Sequence, residues 1–223
     1  MFIIKMMFDN EKGVKDFMGV SERRQREKEN LRKRILDAAR EIVIAEGFSA
    51  LTIRRVADAV EYAPGTLYLY FQNRDAIAVA LCGEVFQTMY DALAPAAKIK
   101  DPAKRLRALI RKYIAFALDQ PEMYRLALMS DPKFSDVLLR DGPIEDADGP
   151  GQKTFALMVQ AIAELRKSEA GAFALAEMVW VTVHGLVSIK IVCHAYPVTP
   201  VDELGDMLGD TLLSGMMQTR IAR

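Results

Sequence analysis

Residues 51–74 read LTIRRVADAVEYAPGTLYLYFQNR, and their spacing decides how the rest of the chain is understood. Ile53, Val56, Ala57 and Val60 recur as one face of a short helix, with Thr52 standing where an N-cap belongs. A tight connection, Glu61-Tyr62-Ala63, leads to Pro64, which suits the first position of a second helix carrying Leu67 and Phe71 on one face. Two short amphipathic helices bury little surface alone and need a third wall. The preceding residues supply it: Leu31, Ile35, Ala38, Ala39, Ile42 and Val43 follow helical spacing, between a start at Ser21-Glu22 and a stop at Gly47. Such a three-helix unit is a helix-turn-helix, whose second helix is exposed enough to enter a major groove. Its outward residues, Thr66, Tyr68 and Tyr70, can hydrogen-bond phosphates and base edges. An ordinary helical hairpin with exposed tyrosines is the plain alternative.

Helical spacing continues through the remainder. Asn73 caps a fourth helix with Ile77, Leu81, Val85 and Met89 as its stripe, expected to end before Pro95. Asp101-Pro102 opens a helix with Leu106, Leu109, Ile110, Tyr113 and Phe116-Ala117 inward, and Pro121 and Asp131-Pro132 start shorter pieces. Residues 141–151, DGPIEDADGPG, read as an acidic connecting loop. Three further helices are expected over about 152–167, 170–195 and 200–219. Sustained period-two alternation is missing, so the fold class is all-α.

Composition narrows the function classes. The chain has 223 residues, 51% hydrophobic and 27% charged, with 30 Lys+Arg balancing 30 Asp+Glu. Zero net charge argues against a polyanion-coating protein and leaves a local DNA-binding face open. Residues 21–34 hold seven Lys or Arg against three Glu, a basic segment beside the helix-turn-helix that reads as a phosphate-contacting arm or as a solvated mixed-charge face. Two cysteines make no disulfide framework and point to a reducing cytoplasm. The longest uncharged apolar stretch, Met178–Ile189, is short of the ~18–20 residues of a membrane span. Residues 1–20 read as a disordered leader, with Met1 or Met18 as the start. Cys82, Cys193, His184 and His194 have no spacing that closes a tetrahedral metal site, and no phosphate loop or nucleophile elbow occurs. No catalytic residue, metal or cofactor is therefore expected.

Thr52-Ile-Arg-Arg-Val-Ala57, Gly65-Thr-Leu-Tyr68, Tyr70-Phe71 and Asn73-Arg74 together resemble the DNA-binding domain of TetR-type (tetracycline-repressor) regulators, over about Glu29 to Val85. Pro121-x-x-Tyr124 and Trp180…His184-Gly185 resemble the C-terminal ligand-binding domain of the WHG subgroup of that family. The resemblance implies a DNA-binding domain over 21–75 and a ligand-binding and dimerisation domain over 76–223. It further implies that Thr52 holds a phosphate, that Arg54 or Arg55 faces the groove, and that Pro64 and Gly65 bring the backbone close to DNA. Thr66, Tyr68 and Tyr70 would contact phosphates and bases, and Arg74 stands where the family usually clamps a phosphate with Lys. Glu61-Tyr62-Ala63 departs from the usual Gly-Val-Ser of the turn. Glu at a position favouring positive φ costs roughly 1 kcal/mol relative to Gly, and loss of the Ser cap about as much again.

The implied function is a homodimeric repressor, released from a palindromic double-stranded DNA operator by a small apolar or amphipathic effector. The expected interface is the last two helices, where Val201, Leu204, Leu208, Leu212 and Met216 form a stripe and Gly205 and Gly209 permit close approach. Tyr113, Phe116, Met123, Tyr124, Phe155, Met158, Trp180 and His184 are the candidate cavity lining, each with core packing as its plainer role. The alternative function is a helical small-molecule-binding protein whose DNA-binding domain is weakened by Glu61 and Ala63.

Overall fold

The computed structural model describes the backbone of residues 2–129 and 148–218, with side chains described from Glu22 onward. Every regular element among the described residues is helical, and the chain separates into two compact units, residues 1–77 and 78–223.

The first unit comprises α1 (Phe2–Glu46), a 3-10 turn (Phe48–Ala50), α2 (Ile53–Val60) and α3 (Pro64–Leu67), and holds the first residues of α4 (Arg74–Ala97). Leu31, Ile35, Leu36, Ala39 and Val43 of α1 are buried, as are Leu51, Ile53, Val56, Val60, Leu67 and Phe71. The third wall expected from periodicity is therefore present, with Leu36 buried and Ala38 and Ile42 only half-buried. α1 does not begin at Ser21: it runs back through Phe2, where a disordered leader was expected. Residues 2–20 contain no proline and only two glycines among Met, Lys, Glu and other helix-compatible residues, so nothing in them interrupts a helix. The second helix of the motif is shorter than expected. After Leu67 the chain tightens, with the Leu69 amide donating to the Thr66 carbonyl at 3.2 Å and the Tyr70 amide to the Leu67 carbonyl at 2.9 Å.

Capping is mixed. The Thr52 hydroxyl accepts from the Arg55 amide, and Asn73 Oδ1 accepts from the Ala76 amide at 2.8 Å. Ala63 caps α3 with no side-chain hydrogen bond. α2 ends on Glu61 in the left-handed region at φ 61°, ψ 41°, with the Tyr62 amide donating back to the Ala57 carbonyl at 3.0 Å.

The second unit is a bundle centred on α5 (Pro102–Asp119), which packs against α6 (Pro121–Leu128), α7 (Pro150–Arg166), α8 (Ala172–Val192) and α9 (Val201–Gln218). α5 starts as expected: Asp101 accepts from the Ala103 and Lys104 amides ahead of Pro102. Leu106, Leu109, Ile110, Tyr113, Phe116 and Ala117 are all buried. Arg105 is buried with them; its guanidinium donates to the Ile99 carbonyl at 2.7 Å and pairs with Glu164 at 2.9 Å. That pairing holds the Glu164 carboxyl below its ordinary range.

Three expectations are corrected here. α4 continues through Pro95 to Ala97, although proline there removes one helical hydrogen bond and crowds the Asp91 carbonyl one turn back. α8 stops at Val192, five residues before Pro197, whose predecessor is biased against helix. Gly205 and Gly209 do not point outward: they are buried against α5, and a β-carbon on Gly205 would lie 2.6 Å from Ile114 Cδ1. The helix expected at Asp131-Pro132 and most of the 141–151 loop lie outside the described residues.

α4 and α8 are each long and apolar enough to cross a membrane by length and composition, although each carries charged residues. α8 buries Leu175, Val179, Val183 and Val187 on one side and leaves Met178, Val181, Ile189 and Val192 exposed on the other.

Candidate nucleic-acid interface and ligand cavity

On the first unit, Thr52, Arg54, Pro64, Gly65 and Tyr68 are exposed, while Thr66, Tyr70 and Arg74 are half-buried. The Thr52 hydroxyl oxygen caps α2 and keeps its own proton to donate. Arg54 and Arg55 are equivalent in spacing but not in structure. Arg55 grips Glu46 with both guanidinium arms, one at 2.8 Å, which raises the arginine and lowers the carboxyl from their ordinary ranges. Arg54 has no ion-pair or hydrogen-bond partner among the described residues, so it is the arginine left for an anionic partner.

Other basic residues also have internal duties. Arg34 donates to the Val60 carbonyl at 2.9 Å, at the negative end of α2, and lies over Tyr62. Arg32 lies over Phe71 at 5.2 Å. Arg74 lies over Phe48 and pairs with Asp75 at 3.2 Å, so part of its charge is answered within the chain. The seven basic residues of 21–34 are thus not one uniform phosphate arm. Leu69, 77% exposed between Tyr68 and Tyr70, was missed by pattern reading because an apolar residue in a helical stretch is assigned inward by default. Gly65 has a negative φ, and a β-carbon there would meet nothing within 4 Å. Neither backbone conformation nor internal packing requires glycine at this position.

The second unit contains a cavity of about 170 Å³. Tyr113, Phe155, Met158 and Trp180 line it, together with Phe86 and Met89 of α4, Thr154 of α7, and Phe173 and Glu177 of α8. Phe116, Met123, Tyr124 and His184 are not in the lining. Phe116 is core, and Tyr124 and His184 form a polar layer behind the wall. Trp180 exposed the missed residues in principle: Phe173, Glu177 and Trp180 stand at i, i+4 and i+7 on one face of α8.

The polar layer has one direction. Trp180 Nε1 donates to the Tyr113 hydroxyl at 3.1 Å, Tyr113 and Tyr124 hydroxyls lie 2.8 Å apart, and Tyr124 reaches His184 Nδ1 at 2.5 Å. His184 Nε2 lies 3.2 Å from Ser188 Oγ. Since the indole can only donate, both phenolic protons have acceptors only if Tyr113 donates to Tyr124 and Tyr124 to Nδ1. Nε2 then carries the proton and donates to Ser188, and the imidazole is neutral. Burial favours this state, pushing His184 down from its ordinary value, Tyr113 up to about 12 and Tyr124 further up. The rings reinforce the chain: Trp180 stacks on His184, and Tyr113 meets Tyr124 edge-on.

Comparison with known proteins agrees with both units. The family described as bacterial regulatory proteins, tetR family, matches residues 35–81, and the tetracyclin repressor-like C-terminal domain matches residues 106–212. An uncharacterized HTH-type transcriptional regulator from the dhlA 5' region of Xanthobacter autotrophicus is 33% identical over 97 residues, 42% of this chain and 48% of that one. The HTH-type transcriptional repressor KstR of Mycolicibacterium smegmatis is 30% identical over 123 residues, 54% of each chain. The chain thus spans about half the length of these curated relatives. Among solved structures, FadR from Bacillus subtilis in complex with stearoyl-CoA superposes with a TM-score of 0.64 at 16% identity, covering 82% of this chain and 98% of that one. The short second helix of the motif, the cap on Thr52 and the helical bundle of the second unit agree with both family matches: the chain belongs to the TetR family of bacterial regulatory proteins.

Proposed function

We propose that the chain is a cytoplasmic, homodimeric, DNA-binding transcriptional repressor that leaves a palindromic operator when a small effector fills the cavity of its second unit. The observation that carries the DNA-binding reading is that Thr52, Arg54, Pro64, Gly65 and Tyr68 of the helix-turn-helix are all exposed, among them a glycine that the fold itself does not need. A backbone without a side chain allows close approach to a phosphate or base edge.

The outer faces of α8 and α9 support the dimer. Thr182 and Leu186 with Leu204, Met207, Leu208 and Leu212 border an open groove of about 310 Å³, and Met178, Val181 and Ile189 extend the apolar surface. Two such helix pairs, apposed across a two-fold axis, make a four-helix interface. The dimer would set two recognition helices about 34 Å apart, one turn of DNA. The cavity supports the effector reading. At about 170 Å³ it is smaller than the ~300–1,000 Å³ of drug-sized sites, so it suits a small ligand or one end of a longer one. FadR of Bacillus subtilis was solved with stearoyl-CoA, which makes an acyl chain one candidate for such an end. α4 borders the cavity through Phe86 and Met89 and is one unbroken helix from Arg74, giving effector occupancy a covalent route toward the first unit. Coupling of this kind is typically ~1–3 kcal/mol, or about 5- to 150-fold in operator affinity.

Selection of genomic fragments by the purified protein, followed by anisotropy titration on the recovered site, tests the reading. A palindromic site bound about 10³-fold or more above random DNA is the expected result. Equal affinity for all sequences with a steep salt dependence would leave nonspecific binding alone. The left-handed Glu61 at the turn favours the second reading, a ligand-binding protein with weakened DNA affinity, and that reading predicts no recovered site.

A further inference from the structure

We propose that the cavity selects a small cationic ligand, an aromatic or quaternary ammonium compound, held by aromatic faces and by the Glu177 carboxylate. The inference rests on the reading of this cavity as the effector site and adds the chemical class.

Five aromatic residues, Phe86, Tyr113, Phe155, Phe173 and Trp180, face the space, and Phe155 and Phe173 meet edge to face at 5.1 Å. Glu177 is the single charged side chain among the described lining residues, placed between Phe173 and Trp180 on the cavity face of α8. Its carboxylate is exposed and has no ion-pair partner among the described residues. Three hydrogen-bond donors of the wall are already committed within the chain. Trp180 Nε1 donates to Tyr113, Tyr113 to Tyr124, and the Thr154 hydroxyl to the Pro150 carbonyl at 2.7 Å. An anionic ligand would meet a lining rich in aromatic rings and one repelling carboxylate. A cation meets the same rings as attractive surfaces and the carboxylate as a counter-ion. The first turn of α7 also borders the space through Gly151 and Gln152, but a helix N-terminus amounts to roughly half a unit charge, less than the full charge of Glu177.

Trp180 is the one tryptophan of the chain and lines the cavity, so its fluorescence reports occupancy directly. The full-length protein is titrated with phenyltrimethylammonium, its neutral isostere tert-butylbenzene, and benzoate. The cation is expected to quench at about tenfold lower concentration than the isostere, with benzoate weakest. Glu177→Gln, at an exposed position where folding is not at stake, is expected to bring the cation to the level of the isostere. If the isostere or benzoate binds as well as the cation, or the preference survives Glu177→Gln, the charge class is wrong while the cavity still binds ligands. If none of the three perturbs Trp180, the effector-site reading itself fails and takes this inference with it.

Discussion

Gly65→Ala separates what the fold requires from what DNA requires. Gly65 lies in the first turn of α3 with nothing within 4 Å of the position a β-carbon would take. Internally, the methyl group should help. Alanine is favoured over glycine in a helix by roughly 0.5–1 kcal/mol, because glycine loses more chain entropy on folding. That gain corresponds to a rise of about 1–8 °C in the unfolding midpoint, depending on how much of the chain unfolds in the transition. Against DNA the methyl group acts in the opposite sense. If the backbone at Gly65 touches a phosphate or base edge, an added carbon overpacks that contact at a cost of ~1–3 kcal/mol, or about 5- to 150-fold in affinity. Thermal unfolding followed by circular dichroism and anisotropy on the recovered operator measure the two effects on the same preparation. The expected result is a more stable protein that binds its operator more weakly. Unchanged operator affinity would refute the placement of Gly65 at the DNA, and a lowered midpoint would refute its freedom from internal contact.

Other consequences are open to direct measurement. Glu61→Gly relieves a left-handed residue and removes a carboxylate from the turn between α2 and α3, so it should stabilise the chain by about 1 kcal/mol and, if that turn lies at the DNA, tighten operator binding, both read in the same two assays. Tyr124→Phe removes the middle of the buried polar chain, leaves the Tyr113 proton and His184 Nδ1 unpaired, and should cost about 1–3 kcal/mol in urea unfolding. His184 is held neutral, below its ordinary value of 6.5, so the unfolded chain binds the proton more readily than the folded one. Stability should be full above pH 6.5 and fall as pH drops below it, a slope that His184→Gln flattens in urea titrations across that range. Gly205→Ala drives a methyl group into Ile114 Cδ1 and should lower the unfolding midpoint by the equivalent of ~1–3 kcal/mol, opposite in sign to Gly65→Ala.

Much of the architecture was legible because it depends on local rules. Caps at Thr52, Asn73 and Asp101, the proline starts at Pro64, Pro102 and Pro121, and the buried stripe of α5 are all set by residues within a turn or two of one another. The strain at Glu61 was legible for the same reason, since a helix that ends in a tight turn asks for a left-handed residue. What escaped was decided by partners far along the chain. Nothing within α2 says that Arg55 belongs to Glu46 and leaves Arg54 free, and nothing in α1 says that Arg34 serves the last carbonyl of α2. Gly205 and Gly209 advertise a close approach without naming the approaching helix, and it is α5 of the same chain. Among the aromatics, periodicity could not divide wall from core: Tyr113 and Phe116 are both buried in α5, yet only Tyr113 borders the cavity. Leu69 was overlooked because its polarity is wrong for the exposed position it occupies, and Glu177 because an exposed carboxylate reads as ordinary surface.

The polar chain from Trp180 to Ser188 gives the cavity walls unequal stiffness. It ties α5, α6 and α8 together through Tyr113, Tyr124 and His184, and each link would have to break before that side could yield. Phe86 and Met89 of α4 border the same space through apolar side chains only, one of them a pliant thioether. A guest slightly too large for the space therefore meets a fixed jaw at the polar chain and a yielding one at α4. The work of accommodating it falls on α4, so the volume of a guest is converted into displacement of one helix.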